Sequence, residues 1–183
     1  ADADLKETAD HIIDAVDRTS ARLGEFMEYA KSREPKIVSV NGAEVAEKVK
    51  QILDPDYNEK AVKLSLDAEP VSIQADEEMF RQAMVNLLLN SLHASGKDTT
   101  VTLRLQRNKS DIACIVEDEG TGIDPDLLPD VCKPYVSGTD KGHGMGLAIV
   151  KRIADQHGWI LEIISSKGKG TQAVISGIKG TAI

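Results

Sequence analysis

The chain has 183 residues, 41% hydrophobic but only 3% aromatic, enough for one aliphatic core with a small extension. Its net charge of -8 argues against a nucleic-acid binder, which at this size would carry a basic face. No apolar run reaches the roughly 18 residues of a membrane span, and no signal-peptide pattern is present.

The opening Ala1-Asp2-Ala3-Asp4 lacks methionine, so the chain reads as a fragment of a longer protein, whose membrane anchoring stays open. Cys114 and Cys132 are isolated and fit a reducing cytosol better than a disulfide scaffold.

Residues 4–33 read as one long helix. Leu5, Ala9, Ile12, Val16, Thr19, Leu23, Phe26 and Ala30 alternate spacings of four and three, a heptad seam. Gly24 weakens it by roughly 1 kcal/mol. Two readings stand: an amphipathic helix on its own domain, or a bundle helix completed by a second chain. The narrow seam favours the bundle. Pro35 ends the helix. A second helix spans about Ala43 to Leu53, with Val45, Val49 and Ile52 on one face and a break at Asp54-Pro55-Asp56.

Val62, Leu64 and Leu66, then Val71 and Ile73, alternate as two strands. Asp76 is placed to cap a helix running to about Ser95, stopped by Gly96. Val101, Leu103 and Leu105 form a half-buried strand, Asn108-Lys109-Ser110 a turn, and Ile112 to Val116 a more buried strand that delivers Asp118. A polar loop follows. Leu147 to Gln156 is helical, Trp159, Leu161 and Ile163 form a strand, and Lys167-Gly168-Lys169-Gly170 turns into the last one, with Ala173 and Ile175. Helices separated by antiparallel hairpins imply an α+β fold, a two-layer sandwich with helices on one sheet face.

Three segments carry chemistry. Asn86 and Asn90 sit at i and i+4 on one helix face, with His93 three further on. Asparagine is a poor helix-interior residue, and carboxamide oxygens can coordinate Mg²⁺; a solvated face with two incidental asparagines remains the alternative. Asp118 follows a buried strand and precedes Gly120 and Gly122. A carboxylate there can accept from the exocyclic amine of adenine, while the glycines let a flat base approach; a plain Asp-Gly turn is the alternative. Gly142-His143-Gly144-Met145-Gly146-Leu147 feeds a helix, a cradle for phosphate to which Lys141 adds a cation. The dinucleotide and Walker patterns both fail here: Leu147 stands where the first needs glycine, and the second has no matching run.

Together these segments resemble the catalytic ATP-binding domain of bacterial sensor histidine kinases, within the family shared with gyrase, MutL and the heat-shock chaperone ATPases. Asn86 to Ala94 resembles its N box and Asp118 to Ile123 its first glycine box. Pro134-Tyr135-Val136-Ser137 resembles its phenylalanine box with Tyr replacing Phe, Gly142 to Leu147 its second glycine box, and Gly168 to Thr171 its Gly-x-Gly-Thr turn. The resemblance covers about residues 70–177.

It implies a Bergerat fold with a mixed, mostly antiparallel sheet, and ATP with Mg²⁺ as cofactors. Asn90 would hold the metal. Asp118 would bind the adenine amine, with Gly120, Gly122, Ile123 and Thr171 close by. Gly142 to Leu147 would cradle phosphates beneath a lid from about Asp124 to Lys141, and His93, Ser137 and Lys141 would be nucleotide contacts. Tyr135 would anchor the lid or be a plain core aromatic.

In the hydrolysing relatives the residue four before the metal asparagine is Glu, a general base. Here it is Asn86, which cannot take a proton. A neutral histidine acceptor needs less activation, so Asn86 favours a histidine kinase. Residues 1–34 would be the second helix of the dimerisation bundle and 35–183 the catalytic domain. The acceptor motif is absent, and His11 does not match it. Expected partners are the upstream phosphoacceptor helix, a response regulator and a second copy through the bundle, with no nucleic acid. The domain would be cytoplasmic, its parent open to anchoring in the inner membrane. A degenerate ATP-sensing module and an ATPase clamp are the alternatives.

Overall fold

Local capping sets the helix starts. Asn41 accepts from the Glu44 amide at 3.2 Å and opens α1, Gly42–Glu59. Asp76 accepts from the Met79 amide at 3.1 Å and opens α2, Glu77–Ala94, as its sequence predicts. The third helix, α3, spans Gly146–His157 and ends on Gly158, whose φ of 69° is the left-handed conformation glycine favours. This computed structural model describes Val16, Gly24 and residues 33–108, 111–137 and 144–182. The chain divides into two compact units, Ala1–Arg33 and Glu34–Ile183. Apart from Val16 and Gly24, both helical, the heptad helix of residues 4–33 lies outside the described residues.

The expected break at Pro55 does not occur; the proline lies inside α1. An interior proline costs roughly 3 kcal/mol. Leu53 and Tyr57, four residues apart, offset that cost by burying one face, and the Tyr57 hydroxyl donates to the Leu88 carbonyl at 2.7 Å. Lys50 pairs with Asp54 at 2.7 Å across the same turn. Ile52, expected on the core face, is 58% exposed, because the buried stripe runs through Val49 and Leu53 instead.

The strands are β1 Val38–Asn41, β2 Lys63–Ala68, β3 Val71–Ala75, β4 Thr100–Asn108, β5 Asp111–Asp118, β6 Ile160–Ser165, β7 Thr171–Ile178 and β8 Gly180–Ala182. Five form a sheet in the order β2-β4-β5-β7-β6, antiparallel except for the β2–β4 pair; β1, β3 and β8 form a second, antiparallel sheet. The fold is therefore α+β with a mostly antiparallel main sheet. One hairpin expectation is corrected: β2 and β3 do not pair. The Glu69 amide donates to Leu105 and continues the β4 ladder, then Pro70 offers no N–H and the chain leaves for the second sheet.

Cross-strand register explains where the site lies. On the helix-covered face, Leu105, Cys114, Ile175 and Leu161 align across β4, β5, β7 and β6, and Leu103, Val116, Ala173 and Ile163 form the next row. Both rows are apolar. The following row is Val101, Asp118, Thr171 and Ser165. The core layer thus ends in three polar side chains on adjacent strands. Burial pushes the Cys114 thiol up to about 12, so it stays protonated inside the sheet.

The helices are tied together at the opposite end of α3. The Asp76 amide donates to His157 Nε2 at 3.1 Å, while His157 Nδ1 donates to the Ile153 carbonyl at 2.8 Å. That assigns the proton to Nδ1. His157 stacks on Trp159 with centroids 4.0 Å apart.

Candidate functional site

Asp118 ends β5 and is 6% exposed. Its Oδ1 accepts from the Gly120 amide at 2.9 Å and the Thr171 amide at 3.1 Å. Burial pushes its carboxyl above the ordinary range; the Gly120 amide, the Ser91 hydroxyl and the Thr171 amide pull it back, and Glu117 adds to the rise. The group is an acceptor held in a fixed pose by backbone.

The first glycine run threads between two neighbours. A Cβ on Gly120 would lie 2.7 Å from the Ala94 carbonyl oxygen, and one on Gly122, at φ +66°, 2.1 Å from that of Ser166. The Thr121 amide donates to Ala94 at 3.1 Å, and Gly168 donates to Thr121 at 2.7 Å. These glycines are thus required by protein backbone, a reason the sequence reading did not supply. The Ile123 amide donates to Ser165 Oγ at 2.9 Å, and Lys167 pairs with Asp124 at 2.8 Å where the loop departs.

The second run meets α2 from the other side. Gly146 is the first residue of α3, and a Cβ there would lie 3.0 Å from the Asn90 side chain. The N-cap residue Met145 makes no side-chain cap bond to α3, so among the described residues its first turn presents amides to an anion. Gly144, at φ +67°, accepts from the Tyr135 amide at 2.9 Å and has no space for a side chain against Tyr135 and Val136. Met145 is 2% exposed, so its side chain belongs to the core and only its backbone can serve a ligand; Leu147 is half-buried.

Helix α2 therefore touches both glycine runs, through Asn90 at one and Ala94 at the other. Asn86 is half-buried one turn earlier and spends its Nδ2 on the Gln82 carbonyl at 2.9 Å. His93 is exposed on the last turn. Ser137 is exposed. The core-aromatic reading of Tyr135 is corrected: its side chain is 67% exposed, and what packs on Gly144 is its backbone, at φ 66°. Lys141, Gly142 and His143 lie outside the described residues.

Two residues of the site escaped sequence reading. Ser91 is buried beside Asp118, and its only signal was a small hydroxyl on an otherwise leucine-lined face. Ser165 is far from Asp118 in sequence and is brought to its row only by strand pairing.

Among the described residues, no three His, Cys, Asp or Glu side chains are grouped to hold a metal. The half-buried Asn90 carboxamide beside the start of α3 offers one hard oxygen donor. That fits Mg²⁺, which takes one or two protein ligands and the rest from phosphate and water. Among the described residues, no helix is long and apolar enough to cross a membrane.

Residues 75–179 match the family described as histidine kinase-, DNA gyrase B-, and HSP90-like ATPase. Sensor histidine kinase ZraS of Salmonella typhi is 31% identical over 173 residues, which cover 93% of this chain and 37% of that protein. The chain thus spans little more than a third of that relative. The crystal structure of full-length ShkA in complex with AMPPNP matches 93% of this chain and 38% of that one, with a TM-score of 0.82 and 21% identity. Histidine kinase ThkA in complex with the response regulator protein TrrA matches 96% of this chain and 51% of that one, with a TM-score of 0.78 and 20% identity. At these identities the two structures speak for the fold. With more than half its length matched, the chain belongs to the histidine kinase-, DNA gyrase B- and HSP90-like ATPase family.

Proposed function

We propose that this chain is the ATP-binding catalytic domain of a sensor histidine kinase, residues 35–183, preceded in residues 1–34 by the second helix of a dimerisation bundle. The observation that carries the reading is α2, whose final turns touch a buried carboxylate segment at Ala94 and an uncapped helix start at Asn90. One end suits a base with an exocyclic amine, the other a polyphosphate. Asp118 accepts from the amine, and the amides opening α3 hold phosphate oxygens. Asn90 would hold Mg²⁺, which when bound would neutralise phosphate charge.

Phosphoryl transfer is mostly a matter of position and charge. A histidine on an upstream bundle helix supplies a neutral imidazole nitrogen. A bond forms from that nitrogen to the γ-phosphorus, the bond to the β–γ bridging oxygen breaks, and ADP leaves with the electron pair. No general base is required, which agrees with Asn86 committing its amide to Gln82. The phosphoryl group then passes to a response regulator. The names of the relatives, and a structural neighbour solved with such a regulator, support this reading. The domain works in the cytoplasm.

The test mixes this chain with a polypeptide bearing the upstream helix and γ-labelled ATP. Label on the helix that is acid-labile and base-stable is the expected result. Steady release of inorganic phosphate with no labelled helix would favour an ATPase clamp, and nucleotide binding with neither product a sensing module.

A further inference from the structure

The polar row that closes the core contains one group without a role so far. Ser165 Oγ lies 2.9 Å from the Ile123 amide nitrogen, 2.9 Å from the Gly170 carbonyl oxygen and 2.9 Å from Thr171 Oγ1. Proton counting resolves the directions of these three bonds. A serine hydroxyl carries one proton and two lone pairs. The Gly170 carbonyl can only accept, so it takes the Ser165 proton. The Ile123 amide can only donate, so it fills one lone pair of Ser165. The Thr171 hydroxyl fills the other, and must donate to do so.

Thr171 therefore has its proton committed and only lone pairs to turn elsewhere. Its neighbour in the row is Asp118, whose carboxylate is also an acceptor. We infer that Ser165 is a positioning residue for base selection: it holds the Thr171 hydroxyl as a donor to itself, so that Thr171 and Asp118 together present acceptors to the exocyclic amine of a purine. This rests on reading the Asp118 row as the base end of the cleft. Without Ser165, the Thr171 proton is released and the hydroxyl can donate as readily as accept. The row then loses part of its preference for a donor-bearing edge.

Affinity for ATP is compared with affinity for purine riboside triphosphate, which carries hydrogen in place of the 6-amine, both with Mg²⁺. The ratio of the two cancels any general loosening of the pocket, which a merely structural role would produce. In Ser165→Ala the ratio falls by about fivefold, the worth of one neutral hydrogen bond. Ser165→Thr keeps the hydroxyl and keeps the ratio. Thr171→Ala lowers the ratio by itself, and adding Ser165→Ala to it lowers the ratio no further, because Ser165 acts through Thr171. If the alanine variant does not fold, Ser165→Cys, of similar volume and weak hydrogen bonding, gives the same reading.

An unchanged ratio in Ser165→Ala, or a further fall in the double variant, overturns the inference. Asp118→Asn separates this from failure of the pocket itself. Should that variant bind ATP as tightly as the unmodified chain, the base-end reading fails. Should it lose affinity while Ser165→Ala leaves the ratio unchanged, only the inference about Ser165 fails.

Discussion

Asp118→Asn is expected to lower ATP affinity by about a hundredfold while raising thermal stability. The two effects share one cause. Oδ1 of the carboxylate accepts from Gly120 and Thr171, and an asparagine oxygen can accept from both. The new amide nitrogen then faces the base amine, donor against donor. Losing a charged acceptor and leaving donors unpaired is worth about a hundredfold or more. The stability gain follows from burial, which lifts the Asp118 carboxyl above its ordinary value of 3.8.

A raised carboxyl binds more protons folded than unfolded between those two values. Its charge therefore costs stability at neutral pH, and the cost disappears as pH falls through the folded pKa toward 3.8. The asparagine variant should melt higher than the unmodified chain at neutral pH and lose that advantage on acidification. Melting curves at pH 7 and pH 4, with titration of a fluorescent ATP analogue, check both halves. A variant that melts lower at neutral pH and still binds would contradict them.

Gly170→Ala is expected to destabilise the chain by at least about 3 kcal/mol and to abolish nucleotide binding with it. Gly170 has φ +84°, and a Cβ there would lie 1.9 Å from the Asp118 carbonyl oxygen. Strain and collision act together, and relief must displace the end of β5 that carries Asp118. Gly158→Ala is the control. Its φ is +69° but no atom lies within 4 Å of the added carbon, so only the conformational cost of about 1 kcal/mol remains. Denaturant midpoints for the two variants measure the difference. Equal losses would mean that the close approach of Gly170 to β5 is not needed for the fold.

Elements defined by short-range patterns were legible in the sequence. The Asp76 cap, the apolar alternation of β4, the dense β5 and the glycine run opening α3 all depend on neighbours within one turn or one strand. The motif positions were legible for the same reason: each is a local string. What failed depended on distant partners. Pro55 reads as a helix break, yet Leu53 and Tyr57 find burial and Leu88 and carry α1 past it. Strands β1 and β8 are too short to show a pattern and exist by pairing with β3.

The parallel β2–β4 ladder joins segments separated by the whole of α2. Ser165 reads as an unremarkable strand end until register places it beside Thr171. The glycines of the first run were assigned to a ligand, although backbone contacts with Ala94 and Ser166 already require them. Tyr135 misled because an aromatic suggests burial, whereas this residue sits at positive φ and is exposed.

The central claim is that one cleft at the C-terminal turns of α2 holds the base beside Ala94 and the phosphates beside Asn90, with a metal at Asn90. The direct measurement is titration of ATP against the unmodified chain and Asn90→Ala, once with Mg²⁺ and once with chelator. The unmodified chain should bind more tightly with Mg²⁺, by about tenfold or more, and Asn90→Ala should lose that increment while keeping its metal-free affinity. An Asn90→Ala variant with an undiminished Mg²⁺ increment would contradict the account.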